Sequence, residues 1–111
     1  MAAVTVVPIE GLRRSPTAAL FEGADAIPVS IFVTVYERGQ GPQQHQHPYP
    51  EVFVVQTGTA RFTVAGEDHV VEAGHIVIVP EGAAHGFRCE RDDTLRVVSV
   101  HPSPTVLQTD L

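Results

Sequence analysis

Residues 39–58, GQGPQQHQHPYPEVFVVQTG, and residues 74–89, GHIVIVPEGAAHGFRC, decide how this chain folds. In the first stretch His45 and His47 are two apart, so on an extended strand both side chains leave the same face. Pro48 and Pro50 then bend the chain. Glu51 opens EVFVVQ, a β-branched and aromatic run that reads as a strand over Glu51–Gln56. Thr57-Gly58-Thr59 reads as a tight hairpin turn into ARFTVA, where Ala60, Phe62 and Val64 alternate with Arg61, Thr63 and Ala65. The second stretch holds a strand over His75–Val79, a Pro/Gly loop over Pro80–Ala84, and another strand opening at His85.

The same punctuation runs through the rest of the chain. Nine Gly and nine Pro separate short runs rich in Val and Ile, among them Val29–Tyr36, His69–Glu72 and Leu95–Val100, with a turn at Gly66-Glu67-Asp68. No segment carries helical periodicity of useful length, so the reading is all-β. Residues 29–101 make one domain. Residues 1–28 and 102–111 hold five of the prolines and are each expected to be irregular or a single edge strand. The strands Glu51–Gln56 and His75–Val79 are apolar on both faces, which calls for two stacked sheets. Their outer face then needs cover, either from residues 1–28 or from a second copy of the chain; a homodimer is the expectation.

Composition narrows the function. The chain has 111 residues and a formal charge of −6 at pH 7, and its seven basic residues are all Arg without a basic stripe, which excludes a general nucleic-acid binder. No apolar run approaches the roughly 20 residues of a spanning helix, so no membrane partner is expected. Arg13 and Arg14 follow the first apolar stretch rather than precede it, unlike a secretory signal. A single cysteine, Cys89, suits a reducing compartment, and a cytoplasmic protein is expected.

Six histidines in 111 residues is a high share. A lone H-x-H is more often surface decoration than a site, and Glu51 or His85 alone would mean little. Together, imidazole and carboxylate suit one divalent transition metal such as Fe, Mn, Ni or Zn, and the lack of a second thiolate argues against a structural zinc site. The glycine and proline frame decides the matter. From Gly39 five residues lead to His45, one to His47, three to Glu51 and six to Gly58; from Gly74 five lead to Pro80, one to Gly82 and two to His85.

This spacing resembles the two motifs of the cupin superfamily, G-x5-H-x-H-x3-4-E-x6-G and G-x5-P-x-G-x2-H-x3-N. Nine positions agree in register, each expected by chance at only about 2–8%, so coincidence is set aside. The resemblance implies a double-stranded β-helix, or jelly-roll barrel, with His45, His47, Glu51 and His85 as metal ligands in its mouth. Glu51 is also a possible base. Where the motif ends in Asn this chain has Cys89, read as a small buried core residue before a thiol near the metal. Phe53, Val55, Phe62, Phe87 and Cys89 share parity with the inward positions and are expected to wall a pocket, with Tyr49 at its entrance or packed over the motif loop. His69 and His75 read as surface residues; His101 ends the last strand and could reach the barrel mouth, but is read as an edge-strand residue before Pro102. The functional expectation is a metal-dependent enzyme of dioxygenase type acting on a small oxygenated molecule. The alternatives are a non-redox isomerase, cyclase or lyase, and a ligand-binding or sensor module without turnover.

Overall fold

The computed structural model describes residues 3–111. A short 3-10 helix (Ile9–Leu12) precedes ten strands: β1 (Ala18–Ala24), β2 (Ile27–Tyr36), β3 (His45–Gln46), β4 (Glu51–Thr57), β5 (Thr59–Val64), β6 (Glu67–Glu72), β7 (His75–Val79), β8 (His85–Cys89), β9 (Leu95–His101) and β10 (Thr109–Asp110). They form two five-stranded sheets, ordered β1-β2-β9-β4-β7 and β10-β3-β8-β5-β6. All neighbours pair antiparallel. From β2 to β5 and again from β6 to β10 the chain changes sheet at every step, the winding of a double-stranded β-helix. No helix among the described residues is long and apolar enough to cross a membrane.

Two turns differ from the sequence reading. Thr57-Gly58-Thr59 is not a hairpin, because β4 and β5 lie in different sheets. A bulge near the end of β4 and a positive φ of 79° at Gly58 swing the chain across to the second sheet. The turn read at Gly66-Glu67-Asp68 sits one residue earlier, where Ala65 and Gly66 both take positive φ and join β5 to β6 as a true hairpin.

Strand alternation separates an inner from an outer face. Phe53, Val55, Phe62, Phe87, Leu95 and Val97 fill the space between the sheets. Phe62 stacks on Phe87 at 4.7 Å and meets Phe53 edge-on at 5.1 Å. The outer face of the first sheet is a grid of apolar side chains in two cross-strand rows: Phe21, Ile31, Val100, Val52 and Ile78, then Ala19, Val33, Val98, Val54 and Ile76. Thr5, Val7, Ile9 and Leu12 lie over the β1–β2 end of this grid. The β7 end is bare, with Ile76 63% and Ile78 69% exposed.

Both terminal segments join the sheets. β1 is the edge of the first sheet and β10 the edge of the second, where it pairs with β3. β2 also begins at Ile27, two residues before the apolar run read from Val29.

Candidate metal centre

Two glycines bring the halves of the site together. An added Cβ at Gly41 would lie 1.9 Å from the Phe87 carbonyl oxygen, and one at Gly86 would lie 2.9 Å from the Pro42 carbonyl oxygen. The segment before β3 can therefore press against β8, which sets His45 opposite His85 in register. His47 follows directly after β3, and Glu51 opens β4 opposite Val79 of β7.

The four residues converge. His45, His47, Glu51 and His85 each offer one ligand atom, and these atoms all lie within 4.8 Å of one another. All four residues are buried, at 7%, 3%, 3% and 1% exposure. Each imidazole donates its Nδ1–H to a main-chain carbonyl: His45 to Gln43 at 2.7 Å, His47 to Leu107 at 2.7 Å and His85 to Ala83 at 2.8 Å. A carbonyl oxygen only accepts, so in the neutral rings the lone pair sits on Nε2 and faces the cluster. His47 Nε2 has no hydrogen-bond partner, although Glu51 Oε1 is 3.1 Å away. Glu51 Oε1 is also 3.1 Å from His85 Nε2. His85 Nε2 and Glu51 Oε1 are within hydrogen-bond distance, and nitrogen lone pairs facing a buried carboxylate oxygen are satisfied by a proton or by a metal cation. The donor set therefore fits a divalent transition metal.

The electrostatics agree. Burial alone would raise the Glu51 pKa, but His101, His47 and His85 outweigh it and hold the carboxyl well below its usual range. Burial pushes His45 down, toward the neutral form a metal needs. Burial would also lower His47, but Glu51 and the Leu107 carbonyl win, and its pKa is raised.

The cluster opens onto a cavity of about 180 Å³ lined by His45, His47, Glu51 and His101, with Phe32, Tyr36, Phe53 and Phe87 as aromatic wall and Thr34, Ser99 and Gln108 among its polar groups. No Arg lines it, and the chain has no Lys. Phe53 and Phe87 thus stand where parity put them. Val55, Phe62 and Cys89 do not line the cavity, because they lie deeper along the barrel in the core. The Cys89 thiol donates toward the carbonyls of Arg91 and Asp93, at 3.3 and 3.1 Å, at the end of the barrel away from the ligands. Tyr49 also lies off the cavity: its ring stacks on His47 at 5.1 Å and 7°, and its hydroxyl reaches His101.

His101 corrects the sequence reading. β9 is not an edge strand but lies between β2 and β4. His101 is 1% exposed, and its Nε2 is 2.9 Å from Glu51 Oε2. The signal was present in LRVVSVH, where Leu95, Val97, Ser99 and His101 share one buried face. His69 and His75 are exposed, as their turn positions suggested.

A sequence profile described as "Cupin domain" matches residues 32–101. The chain belongs to the cupin family. Protein SchB of Streptomyces halstedii is 33% identical over 109 residues, covering 95% of this chain and 78% of that protein. An acireductone dioxygenase of Sulfurihydrogenibium is 33% identical over 66 residues, covering 56% of this chain and 37% of the enzyme. The dimethylsulfoniopropionate lyase DddW of Ruegeria pomeroyi is 32% identical over 69 residues, covering 60% and 45%. This chain thus matches less than half the length of either enzyme. Among solved structures, a Klebsiella pneumoniae protein with a double-stranded β-helix domain superposes with a TM-score of 0.78 at 19% identity, over 96% of both chains, a likeness of fold.

Proposed function

We propose that the protein is a metal-dependent enzyme of dioxygenase type acting on a small, planar, oxygen-bearing organic molecule. The observation that carries this reading is the buried His3Glu cluster opening directly into an aromatic-walled cavity without an arginine or lysine. Four protein ligands leave two positions open on an octahedral metal, and a metal bound there supplies Lewis acidity and, if it is iron, access to oxygen chemistry. The chain's own residues do the rest. The Nδ1–H bonds of His45, His47 and His85 to main-chain carbonyls fix ring orientation and tautomer. Phe32, Tyr36, Phe53 and Phe87 exclude water and offer flat apolar surface to a planar substrate. The lack of Arg along the cavity favours a neutral or singly charged substrate over a dicarboxylate, which would need a cation away from the metal. Glu51, held ionised and contacted at both oxygens, suits a ligand better than a base.

The similarity to the Ruegeria lyase favours a second reading, non-redox lyase or isomerase chemistry at the same centre. Elemental analysis of untagged protein beside a His47→Ala variant tests what the two share. Near-stoichiometric metal that disappears in the variant is expected. Oxygen uptake in a screen of diketones, enols and catechols then supports the dioxygenase, whereas turnover without oxygen uptake transfers the assignment to the lyase reading. Absence of metal from the wild type after reconstitution with divalent ions would overturn both.

A further inference from the structure

We propose that Leu107, Tyr49 and His101 form a brace that holds two of the four ligands, His47 and Glu51, in ligating orientation, with Tyr49 and His101 as positioning residues. The brace starts in the segment after β9. The Leu107 carbonyl accepts the Nδ1–H of His47 at 2.7 Å, while the Leu107 N–H donates to the Tyr49 hydroxyl oxygen at 3.2 Å. With its oxygen already accepting, the Tyr49 hydroxyl directs its own proton to its remaining neighbour, His101 Nδ1, at 2.7 Å. A neutral His101 then carries its proton on Nε2, the opposite tautomer to His45, His47 and His85. That Nε2 lies 2.9 Å from Glu51 Oε2, close enough for electrostatic attraction though not aligned as a hydrogen bond, and it has no hydrogen-bond partner elsewhere.

The two carboxylate oxygens of Glu51 are thereby given different tasks. Oε2 lies 2.9 Å from His101 Nε2, and Oε1 lies 3.1 Å from the Nε2 atoms of both His47 and His85. His101 cannot drift, since it is 1% exposed and packed between Phe32 at 5.5 Å and Tyr49 at 5.3 Å. The brace would keep Glu51 presenting Oε1 alone toward His47 and His85. Without His101 beside it, Oε2 would be free to turn toward the same point and change how the carboxylate holds a metal.

The inference rests on the metal-centre reading above, and its test separates the two. Wild type, His101→Leu, His101→Gln and Tyr49→Phe are compared by competition for Zn(II) against a chromophoric chelator. The visible absorption of their Co(II) forms and the thermal midpoints of their apo forms are recorded alongside. Loss of an outer-shell partner costs about 10–100-fold in metal affinity, and that loss is expected for His101→Leu and Tyr49→Phe. Gln places an amide N–H the same number of bonds from the backbone, so His101→Gln is expected to recover most of the affinity and the wild-type Co(II) spectrum. Wild-type affinity and spectrum in His101→Leu would overturn the brace. So would a His101→Gln variant as weak as His101→Leu, with both apo midpoints lowered, since that is the mark of lost packing alone. A wild type that binds no metal fails the functional reading and the brace with it, whereas the ratio of variant to wild type reads the brace only.

Discussion

At His45, His47 and His85 a main-chain carbonyl accepts a hydrogen bond from Nδ1–H, while at His101 a phenol donates to Nδ1, and this difference sorts four buried imidazoles into three candidate ligands and one of the opposite tautomer. The same residues set the pH dependence. The His47 pKa is raised, because Glu51 and the Leu107 carbonyl outweigh its burial. In the apoprotein its protonated form therefore stabilises the fold below the usual imidazole value, near 6.5, and that contribution is lost as pH rises through the raised value. Metal binding needs the neutral ring, so affinity is expected to keep increasing as pH rises past about 6.5, with proton release from His47. Calorimetric titrations in buffers of different ionisation enthalpy count those protons. A flat affinity between pH 6 and 8, without proton release, would contradict the assignment. That His45, His47, Glu51 and His85 cluster was legible from the spacing and the family resemblance it carries, because the glycines and prolines fix where the loops return. His101 was only half legible: the alternation of LRVVSVH put it on one face with Leu95, Val97 and Ser99, but its neighbour Pro102 suggested an edge, and the pairing of β9 with both β2 and β4 removes that edge.

Among the elements, the contact between the segment before β3 and the strand β8 matters most for the site. Three of the four motif glycines, Gly39, Gly74 and Gly82, have positive φ with open space where a Cβ would go, whereas an added Cβ at Gly58, Gly41 or Gly86 would meet a backbone oxygen at 2.6, 1.9 or 2.9 Å. Neither Gly41 nor Gly86 belongs to the spacing pattern, yet they let His45 stand opposite His85. Gly86→Ala is expected to force these segments apart and lower metal content far more than Gly82→Ala, which strains only a loop. Metal-to-protein ratios of the two purified variants check this, and equal loss would locate the effect in the loop. Parity along strands told which side chains face inward, but not how deep along the barrel. Val55, Phe62 and Cys89 have the expected face and lie beneath the cavity rather than beside it.

On the scale of the whole molecule, the outer face of the first sheet is the feature without a covering layer. Its two rows hold ten apolar residues and no charge, and the N-terminal segment covers only the β1–β2 end. A flat, uncharged face has no electrostatic quarrel with a copy of itself, and isologous pairing repeats one patch on both partners. A dimer of twice 12.0 kDa is the expected solution mass by light scattering. Ile76→Glu with Ile78→Glu, at the bare end, is expected to give monomers with unchanged metal content. A monomeric wild type would mean that this face stays open in solution. The apolar patterning of β4 and β7 announced such a face and offered residues 1–28 as one of its two covers, but not that residues 5–12 would reach only its β1–β2 end.

The contacts that brace the ligands are also far apart along the chain: His47 to Leu107 spans 60 residues, Tyr49 to Leu107 spans 58 and Tyr49 to His101 spans 52. Closing loops of that length is slow compared with forming hairpins. A growing polypeptide exposes all four ligands once His85 has emerged, but the groups that orient two of them arrive later. An ion captured in that interval would meet these side chains without their final tautomers or angles, so discrimination among metals would belong to the finished barrel rather than to the nascent one.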